Sequence, residues 1–291
     1  MFDFLSVVWN VDPIICKIGP LAIRYYSLLF VAGFPLGYWL FIKFYKREGV
    51  NTELLEPLLY ALLIGTIVGA RLGHCLFYQP DYYLTSEHWP EIFQPWKGGL
   101  ASHGGAIGVL LAVWWYAHRY GKKNGFDMVW LLDRLVITIC FAGCCIRLGN
   151  LFNSEIYGDQ TSLPWGFIFE RRGETVPKHP TQIYEALSYL ILGFLLLWVY
   201  FKKLDKVHRG WFFGAFLIGC FGMRFLIEFI KEPQVDFENS MLLNMGQLLS
   251  IPFIVTGIIF IIWSMTARKP ARRTEPARKP NYCPPPKSAR K

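Results

Sequence analysis

The sequence predicts an all-α, polytopic integral membrane protein with seven transmembrane helices, its N-terminus outside and its C-terminus cytoplasmic. Three observations carry that prediction. The 291 residues are 53% hydrophobic and 17% aromatic but only 18% charged, where a soluble domain carries about 25% charged residues. Seven stretches approach or exceed the ~18 to 20 apolar residues that a spanning helix needs. Lysine and arginine then alternate in density from one connecting segment to the next, as they do across a membrane.

In chain order the spans read as 22–43, 55–78, 101–118, 129–149, 182–201, 210–230 and 244–266. The third is the weakest, because its apolar core runs only from Ala106 to Ala117. Pro180 is placed to open the fifth, where its missing N–H costs nothing. Segments 43–48, 118–125, 202–209 and the tail from Arg268 hold 19 Lys and Arg, against 7 in segments 1–24, 79–100, 150–181 and 231–243. The first set is therefore cytoplasmic. The net charge of +9 follows from topology and implies no nucleic acid.

No connecting segment is long enough for a separate globular domain. Residues 1–267 read as a single transmembrane domain, and 268–291 as a basic, Pro-rich, disordered cytoplasmic tail lying near anionic lipid. The first twenty residues lack a basic n-region and a small-residue cleavage site, so no removable signal peptide is expected. Seven cysteines show no C-x-x-C spacing. Cys140, Cys144 and Cys145 read as small apolar filler, and no metal, disulfide framework or cofactor is implied.

The polar residues inside the spans are one-sided. At 1.5 Å per residue, Arg71, Arg147 and Arg224 all fall within roughly 10 Å of the outer boundary. Tyr26, His103 and Glu185 lie near the outward-facing starts of their own spans. An arginine within a span costs on the order of 3 kcal/mol, and burial cannot neutralise it. Three at one depth call for a polar chamber or a bound anion. A guanidinium fork matches phosphate oxygens, and at this level the abundant phosphate belongs to a phospholipid headgroup. The stretch "IRLGNLFNSEIYG" (146–158) adds Asn150, Asn153 and Glu155 to the same end. Taken singly, Arg71 reads equally as a snorkelling cation, and Arg224 with Glu228 as an i,i+4 pair. Asp133 and Arg134, near the cytoplasmic start of the fourth span, read as structural or topological.

The other constellation is "KGGLASHGGAIG" (97–108), where two glycines precede and three follow one histidine at the mouth of a span. An imidazole with a reference pKa near 6.5 suits proton removal from a thiol or hydroxyl. His179 reads as structural. No G-x-S-x-G, H-E-x-x-H or P-loop is present.

These residues together resemble the prolipoprotein diacylglyceryl transferases of bacteria. The resemblance runs from "IGPLAIRYYSL" (18–28) to "MGQLLSIP" (245–252). Its most specific element is the stretch 146–158, which matches the family signature at Arg147, Gly149, Asn150, Asn153, Glu155 and Gly158, with Ile146 and Leu151 in place of Gly and Phe. "HGGAIG" around His103, "HPTQIYE" ending at Glu185 and "RFLIEFIKEP" from Arg224 add to it. The resemblance implies transfer of the diacylglyceryl group of phosphatidylglycerol to the lipobox cysteine of a prolipoprotein, with release of glycerol 1-phosphate. It places the protein in the bacterial inner membrane, with the site toward the outer leaflet. It implies that Arg147 and Arg224 hold the phosphate, that Asn150, Asn153 and Glu155 shape the headgroup site, and that His103 is the candidate base. Tyr26 and Glu185 also fall on family positions, and Arg71 and Glu228 complete the expected lipid-binding set. The expected partners are phosphatidylglycerol, the lipobox-bearing signal peptide and membrane lipids. One departure is Cys220, where the family commonly has Tyr. The alternative reading is a transporter or flippase for an anionic lipid or phosphate compound, and a third is a structural membrane subunit.

Overall fold

The computed structural model describes residues 6–19, 21–85, 87–94, 98–232 and 241–266. The expected tail, 268–291, and Lys97 lie outside the described residues. The chain is mostly helical. Among the described residues six helical stretches are long and apolar enough to cross a membrane: Tyr25–Glu48, Thr52–Tyr78, Met128–Phe152, Thr181–Lys206, Trp211–Ile230 and Met245–Thr266. We label the α-helical parts of these α1 (Tyr25–Glu48), α2 (Leu55–Gly73), α4 (Met128–Phe152), α5 (Thr181–Lys203), α6 (Trp211–Ile227) and α7 (Met245–Thr266). The expected third span folds as α3 (Ser102–Tyr116), a 15-residue α-helix continued by a π turn over Ala117–Gly121. Among the described residues four short strands, β1 (Val7–Val8), β2 (Ile14–Ile18), β3 (Leu21–Arg24) and β4 (Phe167–Ile168), form two two-stranded sheets, β1 parallel with β4 and β2 antiparallel with β3.

The described chain divides into two compact units, one holding residues 6–40 and 127–266, the other 41–126. In the first, α4 is the enclosed helix: 61% of its most apolar window is buried, against 17–33% for the other candidate spans. Asp127 caps its N-terminus by accepting from the Trp130 N–H at 3.0 Å, so a polar side chain satisfies a donor that the helix cannot. Small residues let its neighbours close in. Gly193 of α5 packs on Cys140 and Phe141, and a Cβ on Gly214 of α6 would stand 2.8 Å from the carbonyl oxygen of Gly257 in α7.

The second unit is organised by a pair of matching rows. Gly65, Gly69 and Gly73 of α2 meet Gly104, Gly108 and Ala112 of α3, and a Cβ on Gly73 would stand 2.7 Å from the Gly104 Cα. In lipid there is no hydrophobic drive between helices, so close backbone approach and dispersion hold such pairs. The same pair bounds an apolar groove of about 590 Å³ running from Pro57, Tyr60 and Trp115 at one end to Phe77 and Gly104 at the other. At one end of this unit Tyr45, Tyr116 and Phe126 are buried together, with Tyr116 donating to the Leu54 carbonyl at 2.7 Å.

The polar ends of the first unit's helices coincide. Arg147 is near the end of α4, Glu185 near the start of α5, Arg224 near the end of α6 and Gln247 near the start of α7. Tyr26 is at the start of α1.

Candidate functional site

The site is built where α4 ends. The helix stops at Phe152, and two non-glycine residues then take left-handed backbone conformations, Ser154 at φ 51° and Ile156 at φ 62°. For a β-branched residue such as Ile156 this is strained, and it is held by bonds from α5. Gln182 donates to the Glu155 carbonyl at 2.7 Å and Thr181 to the Ile156 carbonyl at 2.9 Å. Arg172 donates to the Ser154 carbonyl at 2.8 Å, and Trp9 to that of Leu151 at 3.0 Å. The strain turns the Glu155 side chain back onto the helix end. Its Oε1 accepts from Asn150 at 2.8 Å and from Asn153 at 3.0 Å.

Arg147 lies one turn before Asn150. Its Nε is ion-paired with Glu185, and its Nη1 reaches Asn150 Oδ1 at a long 3.4 Å. Glu185 is 1% exposed and shares its other oxygen with Lys231, whose Nζ donates to Oε1 at 3.1 Å. Lys231 also donates to Glu228 Oε2 at 3.3 Å. Buried charges this close are tolerated only when paired and hydrogen-bonded. Glu228 thus turns to Lys231, and no Arg224–Glu228 pair forms among the described residues. Arg224 is half-buried and, among the described residues, its side chain has no hydrogen bond or ion pair. Its field and that of Arg147 both reach Tyr189 and Cys220. Tyr26 sits against Gly149, where a Cβ would come within 2.8 Å of its ring, and within the fields of Glu155 and Arg147.

Of the expected site residues, then, Tyr26, Arg147, Asn150, Asn153, Glu155, Glu185, Arg224 and Glu228 fall in one unit and at one end of its helices. His103 and Arg71 belong to the other unit. His103 is exposed in the first turn of α3. Arg71 is 3% exposed and is engaged by backbone: it donates to the carbonyls of Glu91 (2.6 Å), Ile92 (3.1 Å), Gly98 (2.5 Å) and Gly99 (3.2 Å). Its guanidinium also lies over the Tyr83 ring at 4.9 Å. That geometry organises the segment before α3.

Sequence reasoning missed Lys231, Gln182 and Tyr189. Lys231 falls in the outer segment 231–243, although its i,i+3 spacing from Glu228 is a pairing signal. Gln182 carries no signal of its own, since a buried amide looks like any other.

Outside the spans a second cluster braces this end. Lys178 is ion-paired with Glu232, and with Glu174 at 3.5 Å. Tyr157 donates to Glu174 at 2.8 Å. Burial, reinforced by the bond to Glu174, pushes the Tyr157 phenol up to about 12. Burial would lower the Lys178 pKa, but the bonds to Glu232 and Glu174 outweigh it and the net direction is up.

The model of the prolipoprotein diacylglyceryl transferase family matches residues 13–263. Among similar proteins, one from Tolumonas auensis is 47% identical over 264 residues, covering 91% of this chain and 99% of its own length. One from Porphyromonas gingivalis is 46% identical, covering 88% and 94%, and one from Bacteroides fragilis 43% identical, covering 89% and 95%. All three are named phosphatidylglycerol–prolipoprotein diacylglyceryl transferases.

Proposed function

Since the chain belongs to the prolipoprotein diacylglyceryl transferase family, we propose that it transfers the diacylglyceryl group of phosphatidylglycerol to the lipobox cysteine of a prolipoprotein. The thiolate attacks the glyceryl CH₂ that bears the phosphate. A C–S bond forms, the C–O bond breaks, and glycerol 1-phosphate leaves with the electron pair. The thiol proton passes to a base, for which His103 is the candidate. A thiol is a weak nucleophile until deprotonated, and nearby cationic side chains favour the thiolate.

The observation that carries this reading is the electrostatic asymmetry at the end of α4. Arg147 is fixed from behind by Glu185, whereas Arg224 has a full charge and no ionic partner among the described residues. The carbon attacked is unactivated, so the barrier depends on how well the departing phosphate is stabilised. Prepositioned donors in a water-poor site do that without reorganising. Arg147 and Arg224 would hold the phosphate, and Asn150, Asn153, Glu155 and Tyr26 would shape the headgroup site. Glu185 and Glu228 would position the cations. Arg71, with its donors on carbonyls, would act through the loop it organises.

In this reading α3 also crosses the bilayer, which makes seven spans with the N-terminus outside. Residues 1–267 act as one catalytic domain in the bacterial inner membrane, and the site opens toward the outer leaflet. The acyl chains stay in lipid while the lipobox arrives on its signal helix. The test is direct. Purified protein supplied with phosphatidylglycerol and a lipobox peptide should yield a peptide heavier by one diacylglyceryl group. No such product from the unaltered protein would defeat the reading.

A further inference from the structure

Lys231 is among the least exposed charges of the described chain, with 1% of its side chain accessible. It belongs to no long helix. It follows the 3₁₀ turn Glu228–Ile230, and a backbone bridge to Gly158 sets its place. Asp159 donates to the Ile230 carbonyl at 3.0 Å, and Glu232 to that of Tyr157 at 3.4 Å. A Cβ at Gly158 would stand 2.8 Å from both His179 Cβ and Thr181 Cγ2, and would run into the Ile230 carbonyl. The last glycine of the stretch 146–158 is therefore the crossing point that admits the chain delivering Lys231.

The amine so delivered joins two carboxylates that would otherwise repel. Glu185 and Glu228 each accept one of its N–H groups, and Glu185 uses its remaining oxygen on Arg147 Nε. Two cations and two anions then balance, so the charge of Arg224 stays uncompensated. Without the amine, two buried carboxylates would compete for the guanidinium of Arg147, and Glu185 would lose its fixed orientation. The other titratable groups acting on this set include Tyr189, whose phenol also hydrogen-bonds the Arg147 guanidinium, Cys220 and Tyr26.

We propose that Lys231 is a positioning residue for diacylglyceryl transfer. It fixes Glu185 so that Arg147 is held by its Nε edge, and it leaves the outer nitrogens, whose bond to Asn150 is long, for the lipid phosphate. The inference rests on the function proposed above. Misplacing a catalytic group by about 1 Å can cost on the order of 10²-fold, and that sets the scale.

The experiment measures steady-state transfer by the full chain in detergent micelles, varying phosphatidylglycerol and lipobox peptide separately. Lys231→Met is expected to lose about 10²-fold in kcat/KM for phosphatidylglycerol while the KM for the peptide stays within about twofold. Lys231→Arg, which can still donate to both carboxylates, is expected to recover to within about tenfold of the unaltered protein. Unchanged lipid kinetics in Lys231→Met, or an equal loss toward both substrates with no rescue by arginine, overturns the proposal. If Lys231→Met does not fold, Lys231→Gln is read by the same two criteria. A lack of transfer by the unaltered protein overturns the proposed function and this inference with it, whereas an active protein indifferent to Lys231 overturns this inference alone.

Discussion

Helix α4 buries an acidic and a basic partner near each of its ends, and the two ends use them differently. Near its start, Asp133 accepts from the Gly210 N–H at 2.7 Å and the Phe213 N–H at 2.9 Å, which caps α6. Arg134 lies over the Trp130 ring at 4.4 Å and donates to the Trp130 carbonyl at 3.1 Å. Those contacts are mainly to backbone and ring faces. Near its end, Arg147 is answered by Glu185, Glu185 by Lys231 and Lys231 by Glu228, side chain to side chain across α4, α5 and the turn after α6. A charge satisfied by helix-end N–H groups has no reason to exchange them and serves construction. A charge satisfied by other side chains, beside a guanidinium with no partner among the described residues, is, on the function proposed above, the one placed to receive the lipid phosphate. Burial alone does not mark a site; the kind of partner does.

That contrast can be broken most sharply at the arginines. Arg147→Ala should lower kcat/KM for diacylglyceryl transfer by about 10³-fold, and Arg224→Lys, which keeps the charge but loses the fork, by about 10²-fold. Thermal unfolding should move little in Arg224→Lys. Transfer assays on purified variants measure both, and retained turnover in either would remove that residue from the phosphate site.

The opposite end should behave in the opposite way. Asp133→Ala removes the cap of α6 and the acid beside Arg134, and should cost about 3 kcal/mol of stability. The turnover of the molecules that remain folded should stay within about twofold. Unfolding in detergent, paired with activity per folded molecule, checks this. A catalytic collapse with normal stability would erase the distinction drawn between the ends.

The smallest effect is expected at the brace outside the spans. Tyr157→Phe removes a hydrogen bond to Glu174 and should cost about 1 kcal/mol. The folded phenol titrates near 12 against an ordinary 10.0, so the native state holds its proton more tightly than the unfolded chain does. The stabilisation is therefore full below pH 10 and is lost as pH rises through about 12. Unfolding midpoints of Tyr157→Phe and the unaltered protein should converge over that range, and parallel curves would show that the bond contributes nothing.

Much of the fold was legible because lipid imposes so few solutions. A chain whose backbone must satisfy itself in hydrocarbon is helical wherever it is apolar for long enough. The 129–149 span is one example: the observed helix, Met128–Phe152, extends it by one residue before and three after. The 101–118 stretch is harder, since its α-helix runs for only 15 residues before a π turn and its glycines serve contact with α2. Arg147, Asn150, Asn153 and Glu155 were legible as a group because they are close in sequence and costly in lipid. Arg71 shows the limit. Its expected depth is that of Arg147, yet its donors go to four carbonyls some twenty to thirty residues away, a pattern with no trace in spacing.

What the sequence by itself determined is the membrane-spanning helical class, the end of the helices at which polar groups gather, and the family. These depend on composition, on the cost of charge in hydrocarbon and on short motifs, all of which are local. What only the tertiary structure decided is pairing: Glu228 with Lys231 instead of Arg224, Glu185 between two cations, Asp133 on the N-terminus of another helix. The physical reason is that an ion pair depends on distances of a few ångströms in a poorly screened interior, and the chain sets those distances only when its separate helix ends meet.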